Sequence, residues 1–434
     1  MRRLAGRLAT PALSVLLVLG TMAGTPAAVP SADSTDPAVE LPRPVRGATA
    51  VRLLGDQLDE AAASNNMSAA ELTDLLTTDP SAWVDTTGAV FFKEGVAPAP
   101  ADDPVSAQAP LDQTLQLHSK PGSTKTIFLD FDGGTASATG WHASYPAMPT
   151  TQPVWDPSGN GASFTDAELT SIQTIWQAVA EDYAPFDVDV TTADPGPAGI
   201  YRSDLLDLAY GSHVMITPST EAQGAICPSG CGGVAYIGVF GSSNGGAAGD
   251  GYGYRQPAWV FPHQLGNSPK NIAEAATHEV GHNFGLSHDG NASEGYDRGH
   301  GAWAPIMGVG YDRPITQWSK GDYAEANNQQ DDYSVILGVA GARADEAPTT
   351  ILLAPAAPTG TAYVTSRTDV DTYLLGACSG AVTVAANPSA SLANLDVELT
   401  VHDVTGDVVT TADPPSTQTT PSTASGMGAS VSLT

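Results

Sequence analysis

Residues His278, Glu279, His282, Gly285, His288 and Asp289 spell the pattern HExxHxxGxxHD without a mismatch. On a helix, positions four apart lie on one face, so the imidazoles of His278 and His282 can grip a single ion. Glu279 stands beside the first of them, where a carboxylate can take a proton from a metal-activated water. Gly285 permits the backbone conformation that ends a helix, and the chain can then turn to bring in His288 as third ligand. Three neutral imidazoles with a fourth position left open describe a catalytic zinc site; structural zinc sites are closed and rich in thiolates.

At this composition the full pattern arises by chance in on the order of one chain in a million. It resembles the signature of the metzincin clan of zinc endopeptidases, and Asp289 after the third histidine makes it similar to the reprolysin (adamalysin-like) branch. That resemblance implies a Met-turn downstream, which Ala304-Pro305-Ile306-Met307-Gly308 matches. Met307 would form an apolar floor under the metal without ligating it. The resemblance further implies an α+β catalytic domain, a mixed sheet plus helices with zinc (Zn2+) on the active-site helix. It also implies Glu279 as the catalytic base and protein or peptide substrates. Asp289 is expected to fix the chain after the third ligand. Some metzincins place a Tyr two residues beyond the Met; here that position is Val309, and Tyr311 lies four beyond.

The ends of the chain bear on its compartment. Arg2, Arg3 and Arg7 precede an apolar run from Leu13 to Leu19 and then small residues through Ala28. This is the layout of a secretory signal peptide over residues 1–28, and the run is short for a bilayer span. A secreted, extracellular protein with no membrane insertion is expected. The net charge of −30 over 434 residues argues against nucleic acid as a partner. Dispersed along the chain, it reads as solvated surface.

Three blocks follow the signal. Residues 29–119 are rich in Ala, Asp and Pro, with a helical patch over 50–76, a strand-like run over 89–92, and a linker by composition over 97–104. Between a signal peptide and a protease this block reads as a propeptide, making the chain a zymogen. It holds no cysteine, so a thiolate cannot silence the zinc. A carboxylate could do so, and the sequence does not single one out. Residues 120–344 carry the order of elements of a catalytic domain. They open with a strand over 126–131 and a helix started by the Thr165/Glu168 capping box that carries Leu169, Ile172, Ile175, Trp176 and Val179. Short strands follow over 186–190 and 214–216. The run 233–240 is a candidate for the strand that pairs with extended substrate in metzincins, with 258–261 nearby. Ser268 caps the active-site helix, which runs from Lys270 to Phe284, and a closing helix is expected near 323–337. Residues 345–434 show short alternating runs at 362–365, 372–375, 381–385, 395–401, 407–411 and 429–433, the mark of an all-β sandwich-like domain. It resembles the pre-peptidase C-terminal type appended to secreted bacterial peptidases. The chain stops just after a strand, which would leave this domain incomplete and Cys378 without a partner.

Cys227 and Cys231 read as a small-loop disulfide; the other reading, half of a zinc site, lacks a second Cys or His pair. His118, His142, His213, His263, His300 and His402 have no ligand spacing. Asn291-Ala292-Ser293 is a glycosylation sequon. Asp130-Phe131-Asp132-Gly133 after a strand resembles the opening motif of haloacid-dehalogenase-type phosphatases, but no alternating strand-helix series supports it. A reading from another class is a secreted binding or adhesion protein with an idle protease-like domain. The intact ligand set and Glu279 argue against it.

Overall fold

The structure is a computed structural model that describes residues 39–97, 105–161, 163–243, 245–358 and 360–434. The expected signal peptide and all of the 97–104 linker except Ala97 lie outside the described residues. Among the described residues no helix is long and apolar enough to cross a membrane.

The chain begins with β1 (Val45–Arg46), α1 (Gly47–Leu54), α2 (Leu58–Ser64), α3 (Ala69–Thr78), β2 (Ala82–Val84) and β3 (Val90–Lys93). The single helical patch expected over 50–76 is divided into three. Gly55 and Asn66 take left-handed backbone at φ 49° and 58°, and Ser68 restarts the helix with a capping box closed by Glu71. Leu54, Ala61, Leu72 and Leu76 from these helices pack against Val84 and Phe92 in a small core of their own.

Next come β4 (Lys125–Asp130), β5 (Gly134–Thr135), α4 (Gly140–Ser144), β6 (Thr151–Gln152), α5 (Asp166–Asp182), β7 (Asp189–Thr191), α6 (Pro197–Ile200), β8 (Tyr210–Ile216), α7 (Thr220–Ile226), β9 (Gly233–Tyr236) and β10 (Ala258–Val260). They are followed by α8 (Pro269–Phe284), β11 (Trp303–Pro305), β12 (Ile315–Gln317) and α9 (Asp332–Ala340). One sheet runs β1-β2-β3-β9-β10-β8-β4-β7. Its β10, β8, β4 and β7 are parallel, whereas β9, β3, β2 and β1 join antiparallel. All seven residues of β8 are buried, as expected of a central strand covered on both faces. The Thr165/Glu168 capping box opens α5, which lays Ile172, Ile175 and Val179 into the main core with Ile272, Ala276 and Val280 of α8.

Strands β1, β2 and β3 of the N-terminal block therefore extend the sheet beyond β9. Residues 108–117 pack on α5 and on the segment after β7. The backbone N–H groups of Gln108 and Ala109 donate to Gln173 Oε1 on α5 at 2.7 and 2.9 Å, and Leu117 N–H donates to Thr192.

Two other expectations change. The closing helix starts at Asp332, capped by Asp331, because residues 327–330 are used as a polar brace. Asn327 Oδ1 accepts from Gly290 N–H and Gln330 Oε1 from Ser287 N–H, both at 2.9 Å, tying down the segment that carries His288. The run 233–240 is a strand only to Tyr236. Beyond it Gly238 and Phe240 donate their N–H groups to the His282 and Asn283 carbonyls at the end of α8, where orphan acceptors need partners.

In the last block, β13 (Val382–Ala386), β14 (Leu399–His402), β15 (Val408–Ala412) and β18 (Ala429–Leu433) form where alternation predicts or close by, and β16 (Thr417–Gln418) and β17 (Ala424–Ser425) form where no run is expected. They make three two-stranded ladders, β13–β18, β14–β15 and β16–β17, and the runs 362–365 and 372–375 form no strand. Two facing sheets of a sandwich do not assemble among the described residues. Val401, Ala429 and Val431 are buried, while Val404, Val408 and Val409 stay exposed, too little apolar burial for a double layer.

Candidate metal centre

Every residue of α8 except Glu274 is buried, including His278, Glu279, His282 and Asn283. Polar groups in such a helix cost stability unless something satisfies them. His278 and His282 share one face with ring centroids 4.8 Å apart. Gly285 ends the helix at φ 110°, and the reversed chain delivers His288 so that its Nε2 lies 3.1 Å from His282 Nε2.

The outer nitrogens explain how these rings are held. His278 Nδ1 lies 2.8 Å from the Ile306 carbonyl and His282 Nδ1 lies 2.8 Å from the Leu286 carbonyl. A carbonyl only accepts, so each Nδ1 carries the proton and each Nε2 presents a lone pair. Burial pushes His278 down to about 3 and also lowers His282, which keeps both neutral. His278 Nε2 is buried with no hydrogen-bond partner. Lone pairs converging without a proton between them suit a cation, and this donor set, nitrogen with a carboxylate, fits zinc.

Glu279 turns away from that convergence toward β9. Both its carboxylate oxygens are buried without a hydrogen-bond partner. Burial, with the nearby Glu94 charge, holds its pKa well above the usual carboxylate range. A Cβ at Gly233 would sit 1.9 Å from Glu279 Oε1, so only glycine lets β9 lie against this carboxylate.

Met307 is fully buried beneath α8, and the turn it sits in does more than fill space. Ile306 supplies the carbonyl that orients His278, and Met307 O accepts the Asp289 N–H at 2.8 Å. Asp289 is itself buried, its Oδ1 accepting from Asn328 at 3.3 Å, and burial raises it to about 7. It braces the loop and does not join the cluster. A Cβ at Gly281 would lie 2.5 Å from Met307 Sδ and 3.4 Å from the Trp318 ring. Gly281→Ala should therefore lower stability by about 1–3 kcal/mol, while the three histidines still bind metal. Denaturant melts and metal content check it, and unchanged stability would mean Met307 is free to move aside.

Three residues at the centre have no local sequence signal. Glu94, just after β3, brings Oε1 to 3.1 Å from His288 Nε2 and 3.5 Å from His282 Nε2, and Oε2 to 3.8 Å from His278 Nε2. Ligand atoms of Glu94 and the three histidines all lie within 4.8 Å of one another. Asp79 Oδ2 lies 2.6 Å from His288 Nδ1, and the Tyr296 hydroxyl donates to Glu94 Oε2 at 2.6 Å. Burial would lower His288, but Glu94 and Asp79 outweigh it and raise it to about 10. The same histidine holds Glu94 well below its usual range despite burial. Nothing short of the fold joins residues 79 and 94 to residue 288.

Residues 207–289 match the family described as metallo-peptidase family M12B, reprolysin-like. The match runs from before β8 through Asp289, so it takes in all three histidines, Glu279 and Gly285 and leaves out Glu94 and Met307. Over this stretch the chain is similar to metallopeptidases, a class of peptide hydrolases that use zinc. No curated protein and no solved structure matches the chain.

The other candidates fall elsewhere. Cys227 and Cys231 are joined by a disulfide in the turn before β9, and Cys378 is an exposed free thiol. His213 pairs with Asp130 at 2.7 Å and stacks on Phe128, which gives the Asp130 motif a structural role. His118 pairs with Asp189 at 2.7 Å. The Tyr311 hydroxyl is pushed up by burial and by the charges of Glu94 and Glu279, and Tyr296 is the tyrosine in contact with the cluster.

Proposed function

We propose that this chain is a secreted zinc endopeptidase, made as a zymogen, in which Glu279 acts as general base. The observation that carries the reading is the convergence of three buried histidine Nε2 atoms beside a buried Glu279 carboxylate with no hydrogen-bond partner. His278, His282 and His288 would hold the ion, and zinc there supplies Lewis acidity and brings the pKa of a water toward neutrality. Glu279 takes the proton of the attacking water and returns it to the leaving amine. Asp289 and Met307 keep the third histidine and the helix in register. When β3 is removed, β9 becomes an edge strand beside Glu279, and an extended peptide can pair with it. Export is supported by the charged and apolar N-terminal pattern.

The test uses full-length protein that has been folded, processed and loaded with zinc. It should clear casein or gelatin and cleave peptides. A chelator should cut the rate by at least about a hundredfold, with recovery on adding zinc. Metal-replete, processed protein that cleaves nothing would leave the binding or adhesion reading in its place.

A further inference from the structure

We infer that Glu94 is the fourth ligand of the metal in the unprocessed chain, seated there by a substrate-like strand that fills the cleft. The inference rests on the metal-site reading above and goes beyond it by naming the residue and the backbone that close the site.

The geometry is built from both sides. β3 pairs antiparallel with β9, Phe91 opposite Tyr236, Phe92 opposite Ala235 and Lys93 opposite Val234. Antiparallel pairing on this edge is the arrangement open to an extended peptide. The ladder runs on through Glu94, whose N–H donates to Gly233 O at 3.0 Å and whose carbonyl accepts from Gly232 N–H at 3.1 Å. With its backbone clamped at both ends, the Glu94 side chain has one direction to take, into the three Nε2 atoms. The Phe92 ring stacks on His282 at 4.1 Å and meets His288 edge-on at 4.8 Å, covering the ligands from water. Tyr296 holds the second oxygen of Glu94. Asp79, from the same N-terminal block, orients His288, so this block contributes both an inner and an outer partner. A carboxylate needs no redox chemistry to leave. It departs when the chain is cut beyond Glu94 and β3 peels from β9.

Cobalt(II) reports the ligand set directly in full-length, unprocessed protein. Acetohydroxamate is the probe, small enough to reach the ion past the strand. In the wild-type unprocessed chain the visible cobalt spectrum should not respond to it. In the same chain after processing, and in unprocessed Glu94→Ala and Glu94→Gln, it should shift. Both variants should also release zinc to a chelator at least about tenfold faster than wild type, yet Glu94→Gln should remain slow on long peptides because β3 still fills the cleft. A wild-type spectrum that responds alike before and after processing overturns the assignment without reference to any variant. So does a cobalt spectrum unchanged by Glu94→Gln in folded protein, and so does a full-length chain that takes up no cobalt. Should the spectral differences appear while the processed protein hydrolyses nothing, Glu94 stands as a ligand and only the peptidase reading falls.

Discussion

Glu279→Gln in processed protein should retain zinc and fold while losing about two to four orders of magnitude in kcat/KM. The replacement is nearly isosteric, and the carboxylate lies outside the set of converging ligand atoms, so the metal has no reason to leave. Both oxygens are buried and unpartnered. An amide of the same shape fits there, but it cannot accept the proton of an attacking water. Metal analysis alongside steady-state kinetics distinguishes this from unfolding. Near-normal turnover with zinc in place would mean that proton transfer is handled by another group.

His282→Ala should have the larger physical effect, because it removes a ligand and a packing surface together. The ring is fully buried, donates to the Leu286 carbonyl just past the end of α8, and carries the stack of Phe92. Zinc should no longer be bound stoichiometrically, peptidase activity should fall to background, and added zinc should cease to raise the Tm. For wild type the zinc-dependent gain is about 4 kcal/mol when free zinc stands at roughly a thousand times Kd. Combining His282→Ala with His278→Ala leaves one histidine of three. Stoichiometric zinc in that double variant would show the metal binds elsewhere.

His278, Glu279, His282 and His288 could be read from sequence because their geometry is local. The helix fixes the i, i+4 pair, Gly285 allows the left-handed turn at φ 110°, and three residues bring the last ligand round. Capping residues were legible for the same reason. The Thr165/Glu168 box and the Ser268 cap both satisfy N–H groups three residues away, an interaction that needs no distant partner. The Met-turn was visible as a motif, yet its working part was not. The Ile306 carbonyl that orients His278 is a backbone atom, and any residue type could supply it.

Expectations failed where distant chain decided the outcome. The helix foreseen over 323–337 begins nine residues late because Asn327, Asn328 and Gln330 bond across to the His288 segment. Strand alternation in the last block yields three two-stranded ladders among the described residues, because alternation states which face is apolar and not what covers it.

The sequence by itself determined the cluster of three histidines, Glu279 beside them and the helix that presents them, all of which are set by covalent spacing and helical periodicity. Only the tertiary structure decided that Glu94, Asp79 and Tyr296 close round those ligands. Glu94 and His278, 184 positions apart, are brought together by the pairing of β3 with β9. A strand pairing of that range rests on register and shared burial across the sheet, so it leaves no pattern in either segment read alone.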